Sequence, residues 1–113
     1  MMIISKYKIL FLIFFSVFFI CCSPIIFKPT SEDVDLAKQK WENVSIDQLN
    51  NGFKLFKAKC SGCHFLPIPR DYSEAKWIHI LPEMSEKSKL THEEYDLVFK
   101  YVITKSYSQI KKQ

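Results

Sequence analysis

The pentapeptide Cys60-Ser61-Gly62-Cys63-His64 sets two thiols and an imidazole at i, i+3 and i+4, positions that share one face of a helical turn. C-x-x-C-H is the spacing of covalent haem attachment. Each thiol can add to one haem vinyl group to form a thioether, while the imidazole of His64, held beside the second cysteine, reaches the iron as proximal axial ligand. Ser61 and Gly62 are small and leave room for the porphyrin edge. Two other uses of paired cysteines need company that this chain lacks. A structural zinc site needs a second Cys/His pair downstream. A thioredoxin-like dithiol needs a βαβ framework, whereas the residues that follow read as helices.

The elements that position this motif begin after a leader. Lys6 and Lys8 precede an apolar run from Ile9 to Ile20 that holds one serine, Ser16, the layout of an export signal. Export agrees with haem attachment, which in bacteria takes place beyond the cytoplasmic membrane. Phe19-Ile20-Cys21-Cys22-Ser23 resembles the lipobox of bacterial lipoproteins, which implies cleavage before Cys22, with Cys21 as the alternative, and acylation of the new N-terminal cysteine. Phe19 and Ile20 stand where such boxes more often carry Leu and a small residue. An uncleaved anchor from Ile9 through Phe27, or a freely soluble product, is the competing outcome. All three place the remainder outside the cytoplasm.

The 113-residue chain carries 16 basic and 12 acidic side chains. Cleavage at Cys22 leaves 92 residues and a net charge of +2, because Lys6 and Lys8 depart with the leader. That is one small domain, and a charge too weak and dispersed for nucleic-acid binding. The four cysteines divide between the processing site and the C-x-x-C-H motif, so no disulfide framework is expected. The expected organisation is a signal peptide over 1–21, a tether over 22–44, a domain over 45–107 and a tail over 108–113. Prolines, charges and weak periodicity mark 23–44 as mostly irregular, with Trp41 expected to pack on the domain.

Ser45 and Gln48 form a capping box for the first domain helix, expected to run to about Lys59. Leu49, Gly52, Phe53 and Phe56 fall on one stripe. A glycine inside a helix costs up to about 1 kcal/mol relative to alanine, and close approach of another helix is its justification. Ser73 caps a short helix, Glu74 to Leu81, whose Trp77, Ile80 and Leu81 share a face. Pro82 is expected to end it. The last helix opens at a second capping box, Thr91 and Glu94, and its Leu97, Val98 and Tyr101 edge is the expected partner of Gly52 and Phe56.

Gly52, Phe56 and Cys60, spaced by four, reproduce a pattern similar to that of class I c-type cytochromes, and Val98 with Tyr101 matches the branched and aromatic residues of that family's final helix. The resemblance covers about residues 45–104. It implies an all-α cytochrome c fold, three to four short helices around one covalent haem c, with first and last helices crossing near right angles. It implies Met84, in a loop beyond Pro82, as the distal iron ligand opposite His64. It also implies a proline carbonyl accepting the second imidazole N–H of His64, with Pro67 the first candidate and Pro69 the second. His79 and His92 compete for the sixth position, surface imidazole being the simpler reading of each. Arg70 is a candidate partner for a haem propionate or else a surface cation. Trp77 covers a haem edge, with a propionate in reach of its N–H, or fills the core.

With both axial sites filled by protein, the implied function is single-electron carriage at the periplasmic side of a bacterial membrane, rather than catalysis. Redox donor and acceptor proteins are the implied partners, docking transiently through lysines such as Lys57, Lys59, Lys87 or Lys89. An enzyme or ligand sensor with an open sixth iron position is the alternative.

Overall fold

The structure, a computed structural model, describes residues 2–17, 27–60 and 66–108. Among these residues the chain is all-helical: α1 Met2–Val17, α2 Ser31–Lys38, α3 Ile46–Cys60, α4 Glu74–Lys87 and α5 His92–Ser108, with a 3₁₀ turn at Pro69–Asp71. Along α1, residues Ile3, Ile4, Tyr7, Leu10, Phe11 and Phe14 are exposed. No described helix is long and apolar enough to cross a membrane. Cys21 and Cys22 lie outside the described residues.

Both expected capping boxes form. The Ser45 N–H donates to Gln48 Oε1 and the Gln48 N–H to Ser45 Oγ, each at 3.2 Å. At α5 the Thr91 N–H donates to Glu94 Oε2 at 3.0 Å, and the Glu94 N–H to Thr91 Oγ1 at 3.2 Å. Ser73 caps α4 by accepting from the Lys76 N–H at 3.2 Å. Such caps satisfy donors that a helix start leaves without intrahelical partners.

The main packing is α3 on α5, centred on Gly52. A Cβ built there would lie 2.8 Å from both the Leu97 carbonyl carbon and Tyr101 Cβ, and closer still to the Leu97 carbonyl oxygen. Only a glycine lets the two backbones meet at that distance. One turn on, the Phe56 ring lies 5.7 Å from Tyr101 and 6.3 Å from Trp77, spacings at which tilted and edge-on aromatic pairs are favourable. Phe56, Cys60, Trp77, Leu81, Val98, Tyr101, Val102 and Ile103 form the main buried cluster.

Two expectations are corrected. Residues 31–38, read as tether, form α2, which packs on α3 and α5. Its start is a capping box of Thr30 and Asp33, and Ala37 joins Val44 and Leu49 in a second buried cluster edged by Val34 and Trp41. Sequence periodicity misses this helix because its most buried residues include an aspartate. Asp33 Oδ2 accepts from Lys105 Nζ at 2.6 Å, with both side chains almost wholly buried, so a tertiary ion pair does the work expected of apolar side chains.

The second correction concerns Pro82. α4 continues past it for five residues to Lys87, although proline lacks the N–H that would bond Ile78 and crowds its carbonyl. Ser85 Oγ donates to the Pro82 carbonyl at 2.8 Å. The helix closes with Lys89 N–H donating to the Glu86 carbonyl at 3.1 Å and Leu90 N–H to the Ser85 carbonyl at 3.0 Å. This paired arrangement is a Schellman stop, and it places Lys89 at φ 54°.

Candidate functional site

The site is assembled where α3 ends. Cys60 is its last residue and is 2% exposed, within the cluster of Phe56, Trp77, Leu81 and Val98. Ser61, Gly62, Cys63, His64 and Phe65 lie outside the described residues. The register of this helix end is held from the side. Lys59 Nζ donates to both oxygens of Glu94, at 2.9 and 2.8 Å, and Glu94 is the residue that caps α5. The hydrogen bond from Lys59, then that from the Thr91 backbone, holds the Glu94 carboxyl below its ordinary pKa. Glu94 therefore ties the residue before Cys60 to the start of α5. The capping-box pattern located Glu94 in the sequence; its second role needed the fold.

Met84 sits inside α4 rather than in a loop, because the helix survives Pro82. Helical spacing puts it on the stripe of Trp77, Ile80 and Leu81, at i, i+3, i+4 and i+7. It is partly buried against the cluster that contains Cys60. Leu66, Ile80, Leu90 and Tyr95 also pack partly exposed on that cluster. The structure thus brings Cys60 and Met84 to one apolar body with an incompletely covered rim.

Trp77 is fully buried, and its indole N–H donates to the Pro69 carbonyl at 2.8 Å. A propionate is therefore not its partner here. The bond pins the 3₁₀ turn at Pro69–Asp71 to α4, and the Tyr72 ring meets Trp77 edge-on at 5.4 Å. Pro69, the second candidate acceptor for His64, already holds a donor. Pro67 is partly buried; its relation to His64 lies outside the described residues. Arg70 stands 5.4 Å from the Phe27 ring centroid, and its Nε is 3.8 Å from Asp71 Oδ1.

His79 and His92 are exposed. Among the described residues no group of three or more His, Cys, Asp or Glu stands close enough to hold a metal ion. Of the four lysines considered for partner steering, Lys59 is paired with Glu94 and Lys87 with Glu83. Lys57 lies over the Phe53 ring at 5.2 Å, and Lys89 occupies the α4 stop.

Leu49, on the α3 stripe with Gly52, Phe53 and Phe56, packs away from Cys60. It is fully buried beneath α2, in the cluster with Ala37 and Val44 rather than in the one with Cys60. The fold also reveals a triad that sequence reading missed. Glu74 Oε1 accepts from Lys40 Nζ at 2.7 Å, and Glu74 Oε2 accepts a hydrogen bond from the Tyr107 hydroxyl. It joins the segment after α2, the start of α4 and the end of α5. The hydrogen bond from Lys40, then that from Tyr107, lowers the Glu74 pKa.

No family model, no curated protein and no solved structure matches the chain.

Proposed function

We propose that this protein is a membrane-tethered single-electron carrier of the class I cytochrome c type, with one covalent haem c. The observation that carries the reading is Cys60-Ser61-Gly62-Cys63-His64 following a helix whose Gly52 and Phe56 pack on the last helix. The donor set and lining fit the group: a buried thiol on α3 and a thioether on α4 border one apolar cluster, whose rim of Leu66, Ile80, Leu90 and Tyr95 is only partly covered.

In this reading Cys60 and Cys63 would hold the haem through thioethers, and His64 and Met84 would be the residues that ligate its iron. When bound, the haem supplies Fe(III)/Fe(II) exchange of single electrons. The protein's own residues set the conditions. The soft sulfur of Met84 favours the reduced iron, and the apolar cluster around Cys60 does the same by excluding water. Lys59 and Glu94 position the helix end that bears the first cysteine. The Pro69 carbonyl, bonded to Trp77, fixes the loop that follows the histidine. Acylation at Cys22 holds the carrier at a membrane surface on the periplasmic side, where donor and acceptor proteins dock transiently.

A second reading rests on one observation. Met84 lies on a helical stripe with Trp77, Ile80 and Leu81, which is also the place of a packing methionine, and its use in packing would leave the sixth iron position open to small ligands.

The test is expression of the full chain with the c-type maturation machinery. Expected are a c-type pyridine haemochrome and an intact mass carrying the tetrapyrrole increment, both absent in C60S/C63S. A charge-transfer band from iron to methionine sulfur, lost in Met84→Ala, separates the carrier from the open-site reading. A mature product without the tetrapyrrole increment overturns both.

A further inference from the structure

We propose that Phe27 is a positioning residue for the loop that follows the axial histidine: together with Trp77 it holds residues 68–70 in place, and through them the Pro67 carbonyl. This rests on the haem reading of residues 60–64 and adds to it a residue outside the stretch that resembles the family.

The loop has two holds that come from different parts of the chain. From α4, the Trp77 indole N–H donates to the Pro69 carbonyl at 2.8 Å. From the N-terminal side comes Phe27, whose ring centroid lies 5.4 Å from the Arg70 guanidinium. Its carbonyl accepts from the Tyr101 hydroxyl on α5 at 3.0 Å. Phe27, Ile68, Pro69, Arg70, Tyr101 and Lys105 surround a void of about 10 Å³, room for one water at most. The ring therefore packs on the loop instead of facing it across solvent.

Phe27 is itself held firmly enough to act as a stop. Burial, then the Asp33 carboxylate, pushes the Tyr101 phenol well above its ordinary pKa, so the hydroxyl keeps its proton and remains a donor. Two residues after Phe27, Pro29 is buried; Thr30 then caps α2, and Asp33 of that helix is paired with Lys105 at 2.6 Å. The backbone of Phe27 is thus fixed to α5, which leaves its ring to bear on the loop.

The loop is stiff enough to transmit that hold toward His64. Pro67 and Pro69 each fix a φ angle, and Ile68 between them is extended, at φ −80° and ψ 124°, as a residue before proline prefers. Pro67 lies at most about 7 Å from Pro69 along such a chain. A ring that stops Pro69 and Arg70 from shifting therefore limits the movement of the Pro67 carbonyl, the first candidate acceptor for the second imidazole N–H of His64.

The experiment uses full-length haem-loaded protein: wild type, Phe27→Ala, Phe27→Leu, Phe27→Tyr, and Val44→Ala as a control in the second buried cluster. Two exchange rates with solvent are measured. One is that of the Asp71 amide, which donates to the Ile68 carbonyl at 3.0 Å, followed by mass spectrometry of the loop peptide. The other is that of the His64 ring N–H, followed by proton magnetic resonance of the reduced protein. Expected in Phe27→Ala is a several-fold acceleration of both, smaller in Phe27→Leu and absent in Phe27→Tyr, which keeps the ring. Val44→Ala should lower the melting temperature and leave both rates unchanged. Unchanged loop exchange in Phe27→Ala and Phe27→Leu overturns the positioning role and leaves the haem reading standing. A faster loop with an unchanged His64 N–H makes Phe27 a purely structural contact and likewise overturns the proposal, as does equal acceleration in Val44→Ala. A wild-type product with no c-type pyridine haemochrome overturns the haem reading and the proposal together.

Discussion

Replacing Gly52 by alanine pits two effects of opposite sign against each other. Alanine is the better helix former, by up to about 1 kcal/mol inside α3. Against this, the new methyl would lie 2.8 Å from the Leu97 carbonyl carbon and from Tyr101 Cβ, and nearer still to the Leu97 oxygen, where carbon atoms favour about 3.5–4.0 Å. The obstructing groups are mostly backbone and cannot rotate aside. Relief requires α3 and α5 to part by on the order of 1 Å, which forfeits a quarter to a half of the dispersion well for contacts across the gap. Phe56, Val98 and Tyr101, all buried, line that interface. Overpacking of this kind costs about 1–3 kcal/mol, occasionally more, and the rigid obstruction places Gly52→Ala in the upper part of that range. The net expectation is a loss of about 2 kcal/mol. With a urea dependence of about 1–2 kcal/mol/M for a small domain, the unfolding midpoint of the haem-loaded protein falls by roughly 1–2 M, followed by far-ultraviolet circular dichroism. Asn51→Ala, on the exposed side of the same turn, is the control and should be neutral or slightly stabilising. A Gly52→Ala protein as stable as wild type would refute the close approach of α3 and α5.

Lys105→Met leaves Asp33 buried without its cation and should cost about 3–5 kcal/mol; the double variant D33N/K105M removes both charges and should be more stable than K105M alone in the same denaturation assay. Lys89→Gly relieves a left-handed residue at the α4 stop and should raise stability by about 0.5–1 kcal/mol, seen as a higher melting temperature. Glu74 has its folded pKa below the ordinary 4.5, first through Lys40 and then through Tyr107. Its stabilisation is therefore complete above pH 4.5 and lost as the pH falls through the lowered folded value. In Glu74→Gln the acid decline of the denaturation midpoint should be shallower than in wild type, and an unchanged decline would exclude Glu74 as a source of acid sensitivity.

Much of the frame was legible because its signals are local. Ser45 with Gln48, Ser73, and Thr91 with Glu94 announce helix starts through bonds made within three residues. Gly52 was legible for a different reason: a glycine on an apolar helical stripe is unfavourable unless something must come close, and the backbone at Leu97 does. Pro82 misled because its local penalty is real. It was outweighed by a stripe, Trp77, Ile80, Leu81 and Met84, that buries on both sides of it.

α2 was not legible, since its anchoring residue is Asp33 and the matching charge lies 72 positions away at Lys105. The commitment of Lys59 to Glu94, 35 positions away, was hidden for the same reason; that of Trp77 to the Pro69 carbonyl was hidden because no side-chain type marks a backbone acceptor.

By itself the sequence determined the all-helical class, the starts of α3, α4 and α5 and the positions of Cys60, Cys63, His64 and Met84, because capping, periodicity and motif spacing act over a few residues. Only the tertiary structure decided that Met84 is held on a helix, that residues 31–38 form a helix packed on α3 and α5, and which charges are buried. Those outcomes depend on pairings between distant segments, whose free energy no local pattern records.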